Sequence, residues 1–177
     1  MRIIRLNLSN VDKISKLHIE VDWQTYKEEI PEFLINASGL EGRRYIWNAA
    51  LSDNSIWAFG VYADQGREPL GFISGRINSR GYDEKSAHLG GIYVLKQYQY
   101  RGFGKALLAN FLEIALGAGL KNVCGAVPTK CRSAREFFSA VGFVEHSIYE
   151  SGSADAPFEM AKIELSSLSV ILHHLGS

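Results

Sequence analysis

Apolar residues recur along the chain with two different periods, and the change between them divides the sequence. In the first third they recur at helical spacing, as at Val11, Ile14 and Leu17. From residue 56 onward, short runs of alternating apolar and polar residues are bounded by Gly, Pro, Asn and Asp. The pattern therefore predicts a mostly helical first third, followed by strands with two further helices.

The individual elements follow from the same periodicities and from their start and stop signals. A first helix is predicted from a cap at Ser9 or Asn10 to about Asp22, and two short helices separated by Pro31 are predicted over 23–38. Further helices are predicted to begin after Gly39 and Gly42 and after residue 105, and to span 133–141. Strands are predicted over 2–6, 56–62, 69–76, 86–94, 121–127, 143–149 and 158–165, with a short helix or arm from residue 166.

One glycine-rich stretch, residues 99–105, joins a predicted strand to an amphipathic helix, and we call it the glycine turn. Gly102 and Gly104 allow main-chain N–H groups to approach an anion closely, and the helix that follows adds its unpaired N-terminal donors. Arg101 and Lys105 supply positive charge on either side. The stretch therefore predicts a pyrophosphate-binding turn.

Two better-known phosphate motifs do not fit the glycine turn. A dinucleotide-binding fingerprint needs a third glycine where this chain has Leu107, and an acidic residue about twenty positions later. A nucleotide-hydrolase loop needs Ser or Thr where the chain has Ala106. When the seven residues are considered alone, glycines that serve only the geometry of a strand-to-helix turn remain an alternative.

Composition restricts the partners and the setting of the protein. The 177 residues suit one domain over 1–177, and Lys plus Arg balances Asp plus Glu at 19 each, so no overall charge attracts nucleic acid or a membrane. Cys124 and Cys131 lack a zinc spacing, and His173 and His174 have no third ligand nearby, so we predict no metal site. Without a signal peptide or a membrane-spanning run, we expect a cytoplasmic protein.

Residues on both sides of the glycine turn fit one known family. Gln99, Gly102 and Gly104 match the pattern Gln or Arg, two residues, Gly, one residue, then Gly or Ala. Residues 92–94 precede it as an apolar strand, and Ala134, Phe137, Gly142 and Phe143 follow it as A-x-x-F and G-F. Over about residues 56–165 the chain thus resembles the GNAT superfamily of acyl-CoA-dependent N-acyltransferases. The segment from Trp23 to Trp47 is also similar to the N-terminal helices of several bacterial members.

The resemblance implies a fold, a cofactor and an activity. The fold is α/β of the α+β type: a mixed, mostly antiparallel twisted sheet with a splayed central parallel pair and flanking helices. The activity is transfer of an acetyl group from acetyl-CoA to a primary amine of a small molecule or peptide by direct attack, with a main-chain N–H of residues 92–94 stabilising the oxyanion. The cofactor-binding residues it implies are Ile92, Tyr93, Val94, Gln99, Tyr100, Arg101, Gly102, Phe103, Gly104, Lys105, Cys131 and Phe138.

His88 is the predicted general base. It lies where several family members carry a catalytic Glu, and imidazole titrates near neutral pH. The alternative is a strand histidine whose ring is simply hydrogen-bonded. Gly90 and Gly91 nearby indicate either close approach of a ligand or a β-bulge.

The chain departs from the family at two polar positions. Phe138 stands where a Tyr is common, and Cys131 stands where an Asn is common. Either water, Tyr93, Ser133 or Cys131 therefore protonates the departing thiolate, or its protonation is not assisted by the protein. Cys131 is either a site of acylation or a small apolar filler. These departures leave a second hypothesis, a non-catalytic CoA-binding or sensory module of the same fold.

The acceptor site is predicted from aromatic and acidic residues. Related proteins line their substrate cleft with the helices before Gly42, where this chain could hold a cationic amine, although a solvated helix face is the alternative. The predicted substrate-binding residues are Trp23, Tyr26, His88 and Tyr149. Core packing is an alternative for Tyr149, as the cleft and core packing are alternatives for Tyr45 and Trp47. We expect an amine partner and allow for a homodimer.

Overall fold

A computed structural model describes residues 1–26, 39–77, 86–153, 156–166 and 168. Its strands are β1 (Arg2–Arg5), β2 (Ile56–Tyr62), β3 (Pro69–Ile77), β4 (Ser86–Val94), β5 (Asn122–Pro128), β6 (Val144–Ser153) and β7 (Ala156–Ser166). Its α-helices are α1 (Val11–Tyr26), α2 (Gly39–Ser52), α3 (Phe103–Gly117) and α4 (Arg132–Ala140). In these ranges no helix has both the length and the apolarity needed to cross a bilayer.

All seven strands belong to one sheet, in the order β1-β2-β3-β4-β5-β7-β6. Every neighbouring pair is antiparallel except β4 and β5. Within the described residues that parallel pairing joins only 86–88 to 122–124, although β4 continues to Val94 and β5 to Pro128. The mixed, mostly antiparallel sheet with a parallel pair that separates is therefore confirmed.

Each face of the sheet has its own core. One core joins α3 and α4 to β2 through β5 and β7, and it includes Ile73, Leu107 and Phe111. The other joins α1 and α2 to β2, β3 and β4, and it includes Ile14 and Phe72. Among the described residues this second core contains none from β5, β6 or β7. The far end of that face is thus left outside both cores.

Several element boundaries differ from the sequence predictions. A short 3-10 turn over Leu8–Asn10 precedes α1, and Asn7 caps that turn: its side chain accepts from the Ser9 N–H (2.9 Å), while the Asn10 side chain accepts from the Asn7 N–H (2.9 Å). The helix also continues past Asp22 to Tyr26. Gly39 lies inside α2 rather than before it. The two short helices predicted over 23–38 lie mostly outside the described residues, as do the predicted loop at 79–81 and His173 and His174.

Helix α1 continues past Asp22 because that carboxylate has a partner on α2. The Arg43 Nη2 donates to Asp22 Oδ2 at 2.7 Å, and both side chains are largely buried. One turn earlier, Trp47 Nε1 donates to His18 Nδ1 at 3.1 Å, so the neutral ring carries its proton on Nε2, 3.5 Å from Asp22 Oδ2. The His18 ring also lies 5.2 Å from the ring centre of Tyr93 on β4. These contacts bind α1 to α2 and to the sheet.

Burial sets the protonation states in this network. It lowers the pKa of His18 to about 3, with Arg43 acting in the same direction. It raises the pKa of Asp22 to about 6, against the opposing pull of Arg43. His18 is therefore a neutral, structural imidazole at physiological pH.

His18 should make the stability of the protein depend on pH. Its folded-state pKa of about 3 lies below the ordinary 6.5, so between these values the unfolded chain binds a proton that the folded chain does not. Relative to His18→Gln, the wild type should lose free energy of unfolding as the pH falls through this window, by up to about 1.4 kcal/mol per pH unit. Urea denaturation of both proteins from pH 7 to 4 measures this difference, and parallel curves would contradict it.

Gly75 on β3 should not tolerate a side chain. A Cβ there would lie 2.5 Å from Cζ of Phe111, which is fully buried, and 2.9 Å from the His88 carbonyl oxygen. We expect Gly75→Ala to lower the free energy of unfolding by about 1–3 kcal/mol in urea denaturation. The control is Gly117→Ala at the end of α3, where a Cβ meets nothing within 4 Å, and it should not destabilise the protein. Equal stabilities would refute the close packing.

Candidate active site

A cleft of about 730 Å³, the main cleft, lies where β4 ends and α3 begins, with α4 as its opposite wall. It is lined by Thr25, Ile92, Tyr93, Val94, Gln99, Tyr100, Gly102, Gly104, Lys105, Cys131, Ser133, Ala134, Phe137, Phe138, Ala140, Val141 and Gly142. Every residue predicted from the resemblance to bind the cofactor is among them except Arg101 and Phe103. The guanidinium of Arg101 lies 5.8 Å from the Tyr98 ring centre instead, and Phe103 packs against the core under α3.

The glycine turn presents main-chain donors to this cleft. Gly102 is the N-cap of α3 in the left-handed conformation, with φ 83° and ψ −6°, which favours glycine. The Ala106 N–H makes an intrahelical bond to the Gly102 carbonyl (2.9 Å), so the N–H groups of Gly104 and Lys105 precede the helical ladder. Together with the positive end of the helix dipole, they can bind an anion.

Gln99 connects the glycine turn to the strand before it. Its Nε2 donates to the carbonyl oxygen of Val94, the last residue of β4, at 2.9 Å. The next residue, Tyr100, is held in the left-handed region at φ 57° with its side chain almost fully exposed. The side chain of Gln99 thus fixes the turn relative to the strand edge that lines the same cleft.

Strand β4 extends along the main cleft beyond the end of its described pairing with β5. Residues 92–94 pair with β3 on one side, at Ile73, Phe72 and Gly71. On the other side the pairing with β5 has already ended at residue 88 within the described chain. Main-chain groups on that edge are therefore available to a ligand that binds like an added strand.

The α4 wall of the cleft is mostly apolar. Phe138 is buried, and its ring packs against Phe137 (5.4 Å between centres) and Phe143 (5.1 Å). Cys131 Sγ lies 3.9 Å from Ser133 Oγ, and both residues line the cleft. Sequence reasoning missed Thr25, Ala140 and Val141 as lining residues, although the helical spacing of Ala134, Phe137 and Val141 already indicates a common face.

His88 lies in a second cavity, of about 350 Å³, and not in the main cleft. The second cavity is lined by Ser86, His88, Asn122, Cys124, Gly125, Ala126, His146, Tyr149, Lys162, Ile163 and Glu164. The residues on either side of His88 in β4, Ala87 and Leu89, belong to the core under α3. Because side chains alternate along a strand, His88 lies on the opposite face of the sheet. Burial lowers the pKa of His88, which keeps the imidazole neutral and able to accept a proton.

A β-bulge separates His88 from the part of β4 that lines the main cleft. Ser74 of β3 pairs with Gly91 and Gly75 pairs with Leu89, which leaves Gly90 as the extra residue. A Cβ on Gly91 would lie 2.6 Å from the ring of Tyr93. The two glycines therefore mark a bulge, one of the two alternatives that the sequence left open.

The predicted acceptor residues are not gathered in one place. Tyr149 lines the second cavity with His88, and its ring centre lies 5.7 Å from Nζ of Lys162. Trp23 is exposed on α1 and is not among the described lining residues of either cavity. Tyr26 ends α1, but its side chain lies outside the described part of the chain. Of the other two ambiguous aromatics, Trp47 is buried in the core and Tyr45 is exposed.

Most residues of the second cavity were missed by sequence reasoning. Lys162 and Glu164 alternate on β7 with the core residues Ala161 and Ile163, and Cys124 and Ala126 alternate on β5 in the same way. The alternation along each strand predicts which face of the sheet these side chains occupy. Only the pairing of β5 with β7 shows that side chains from the two strands lie next to each other.

Comparison with known proteins identifies a family and a relative among curated proteins. Residues 22–143 match the model of the acetyltransferase (GNAT) family. The uncharacterized N-acetyltransferase YuaI of Bacillus subtilis is 31% identical over 119 residues, which cover 66% of this chain and 65% of YuaI. The chain therefore matches just under two thirds of the length of that relative.

Solved structures share the fold over nearly the whole chain. The PaiA N-acetyltransferase of Thermoplasma acidophilum, solved with coenzyme A, is 20% identical with a TM-score of 0.70, covering 93% of this chain and 98% of that one. A spermidine N-acetyltransferase chimera of Vibrio cholerae SpeG and hSSAT is 19% identical with a TM-score of 0.74, covering 97% of each chain. Because the family model spans residues 22–143, well over half of the sequence, this chain belongs to the acetyltransferase (GNAT) family.

Proposed function

We propose that this protein is an acetyl-CoA-dependent N-acetyltransferase that acts on a primary amine of a small molecule or peptide by direct transfer. The observation that carries the proposal is the composition of the main cleft, which combines the N-terminus of a helix, the part of β4 beyond its pairing with β5, and an apolar wall. A CoA thioester needs these three surfaces in that order for its pyrophosphate, its pantetheine amides and its aliphatic arm. PaiA, a neighbour in fold, was solved with coenzyme A.

Each part of the cleft has a role in binding. The N–H groups of residues 102–105 and the charge of Lys105 would hold the pyrophosphate. The edge of residues 92–94 on the β5 side would pair with the pantetheine amides. Ala134 and Phe137 would cover its aliphatic part. When bound, the thioester supplies a carbonyl carbon that an amine can attack.

The chemistry would take place where β4 and β5 separate, with donor and acceptor approaching from opposite faces of the sheet. His88, facing the second cavity, would take the proton from the attacking amine. A main-chain N–H of residues 92–94 would stabilise the oxyanion. The new N–C bond forms as the C–S bond breaks, and the thiolate leaves with its electron pair. Tyr93, Cys131 and Ser133 line the main cleft and are candidates, with water, to protonate it.

Gly102→Glu should prevent acetyl-CoA binding because it places a carboxylate at the N-terminus of α3, where the pyrophosphate would lie. We expect Kd, measured by calorimetry, to rise at least about tenfold. Gly119→Glu is a matched control: it has φ 80° against 83° at Gly102, and a Cβ at either position meets nothing within 4 Å. The control has the same backbone strain but should bind normally. Unchanged affinity in Gly102→Glu would disprove the placement of the pyrophosphate.

Replacing His88 should change the pH dependence of turnover. Because burial lowers the pKa of His88 below its ordinary 6.5, the wild-type kcat/KM should have an acidic limb centred below that value. His88→Gln should lose this limb and about a hundredfold in kcat. Acetyl-CoA affinity should stay normal, since His88 lies outside the main cleft. The same pH–rate profile in both proteins would exclude His88 as the base.

A CoA-binding or sensory module without turnover is the second candidate. It is favoured by Phe138, a buried phenyl ring at the position where many relatives carry a proton-donating Tyr. Calorimetry with acetyl-CoA beside a thiol-release assay over an amine panel separates the two candidates. Binding without release from any amine would favour the module.

A further inference from the structure

The second cavity has a floor of small side chains and walls of ionisable ones. Its floor is β5, through Cys124, Gly125 and Ala126, and its walls include His88, Lys162 and Glu164. We propose that it binds the acceptor as a small zwitterion, an amine with an acidic group a few Å from the nitrogen, as in an amino acid. The proposal rests on the acetyltransferase function proposed above and names its substrate class.

The amine subsite lies above Cys124. His88 of β4 pairs in register with Cys124 of β5, which pairs with Glu164 of β7. With strands about 4.8 Å apart, the Cα atoms of His88 and Glu164 are separated by roughly 10 Å, and the short Cys124 side chain lies between them. An ammonium group above the thiol would meet a carboxylate on one side and the neutral imidazole that takes its proton on the other.

Two observations place the Glu164 carboxylate at this position. After burial, Glu164 is the next cause that raises the pKa of the Cys124 thiol, so its charge lies near that sulfur. The thiol itself donates to the Ala87 carbonyl oxygen at 3.5 Å. Glu164 Oε2 also lies 3.6 Å from Nε2 of His146, which lines the second cavity. The carboxylate is therefore at the cavity, where a cationic amine can reach it.

Lys162 provides the complementary subsite. It lies two residues from Glu164 on the same face of β7, which separates their Cα atoms by about 7 Å. Its register partner is Ala126, beyond the point where β4 and β5 stop pairing, and its Nζ lies over the ring of Tyr149. A cation and an anion at this spacing fit a ligand with the opposite charges a few Å apart. A polyamine would instead bring a second cation to Lys162, which opposes its binding.

The size of the cavity agrees with a small ligand. Its volume of about 350 Å³ is at the lower end of the range for small-molecule sites. The partly exposed ring of Tyr149 at its side offers an apolar surface to the rest of the acceptor.

The test uses acceptors that differ only in the acidic group. Thiol release from acetyl-CoA is measured with phenylalanine against phenethylamine, lysine against cadaverine, and spermidine. We expect each amino acid to exceed its decarboxylated partner at least about tenfold in kcat/KM. Lys162→Met should raise KM for the amino acids about tenfold and leave the plain amines unchanged, while Lys162→Arg should retain the preference. Lys121→Met, exposed and outside the cavity, is the control.

The outcomes separate this inference from the function on which it rests. Turnover that favours phenethylamine, cadaverine or spermidine, with no effect of Lys162→Met, would overturn the proposal that the acceptor is a zwitterion. The proposed acetyltransferase activity would still stand. Absence of thiol release from every amine would overturn the acetyltransferase instead. Calorimetry of phenylalanine with the CoA-loaded protein then tests whether the second cavity binds a zwitterion. Binding that Lys162→Met weakens supports this proposal, and no binding overturns it.

Discussion

The short stretch over which β4 and β5 pair is the constraint on which the rest of the molecule depends. Among the described residues, three pairs join these parallel strands before they separate, although both strands continue. A sheet with a gap in its middle has main-chain groups that no neighbouring strand satisfies, and such groups need water or a ligand. The two elements that follow, the glycine turn after β4 and α4 after β5, both border the main cleft beside this gap.

The distribution of helices determines what each face of the gap can do. On one face α3 and α4 complete a core and leave a deep, mostly apolar cleft. On the other, the described residues of α1 and α2 pack on the half of the sheet that runs from β2 to β4. The contacts among His18, Asp22, Arg43 and Trp47 hold this helix pair in place behind Tyr93. Beyond the residues of this described core, polar side chains of β5, β6 and β7 line the second cavity without displacing core residues.

Local patterns were sufficient wherever the structure is local. The strands Ile56–Tyr62 and Ser86–Val94 have the predicted ends because turn residues bound their alternating runs. The end of α1 was misjudged because Asp22 is stabilised by Arg43, 21 positions later. The second cavity was missed since Cys124 and Glu164 meet only through the pairing of β5 with β7. The predicted site residues, the cytoplasmic location, the single domain and a homodimer stay predictions.

The extra residue at Gly90 determines which side chains can act together. His88 and Tyr93 are five positions apart, an odd number, so a regular strand would turn them to opposite faces. With one residue bulged out, Ala87, Leu89, Ile92 and Val94 all reach the core under α3, and His88 and Tyr93 share the other face. If the bulge closed with every residue retained, Ile92 and Val94 would turn away from the core under α3, and Tyr93 would turn away from the face of His88. Deletion of Gly90 would instead preserve both faces, because His88 and Tyr93 would then lie four positions apart on a regular strand.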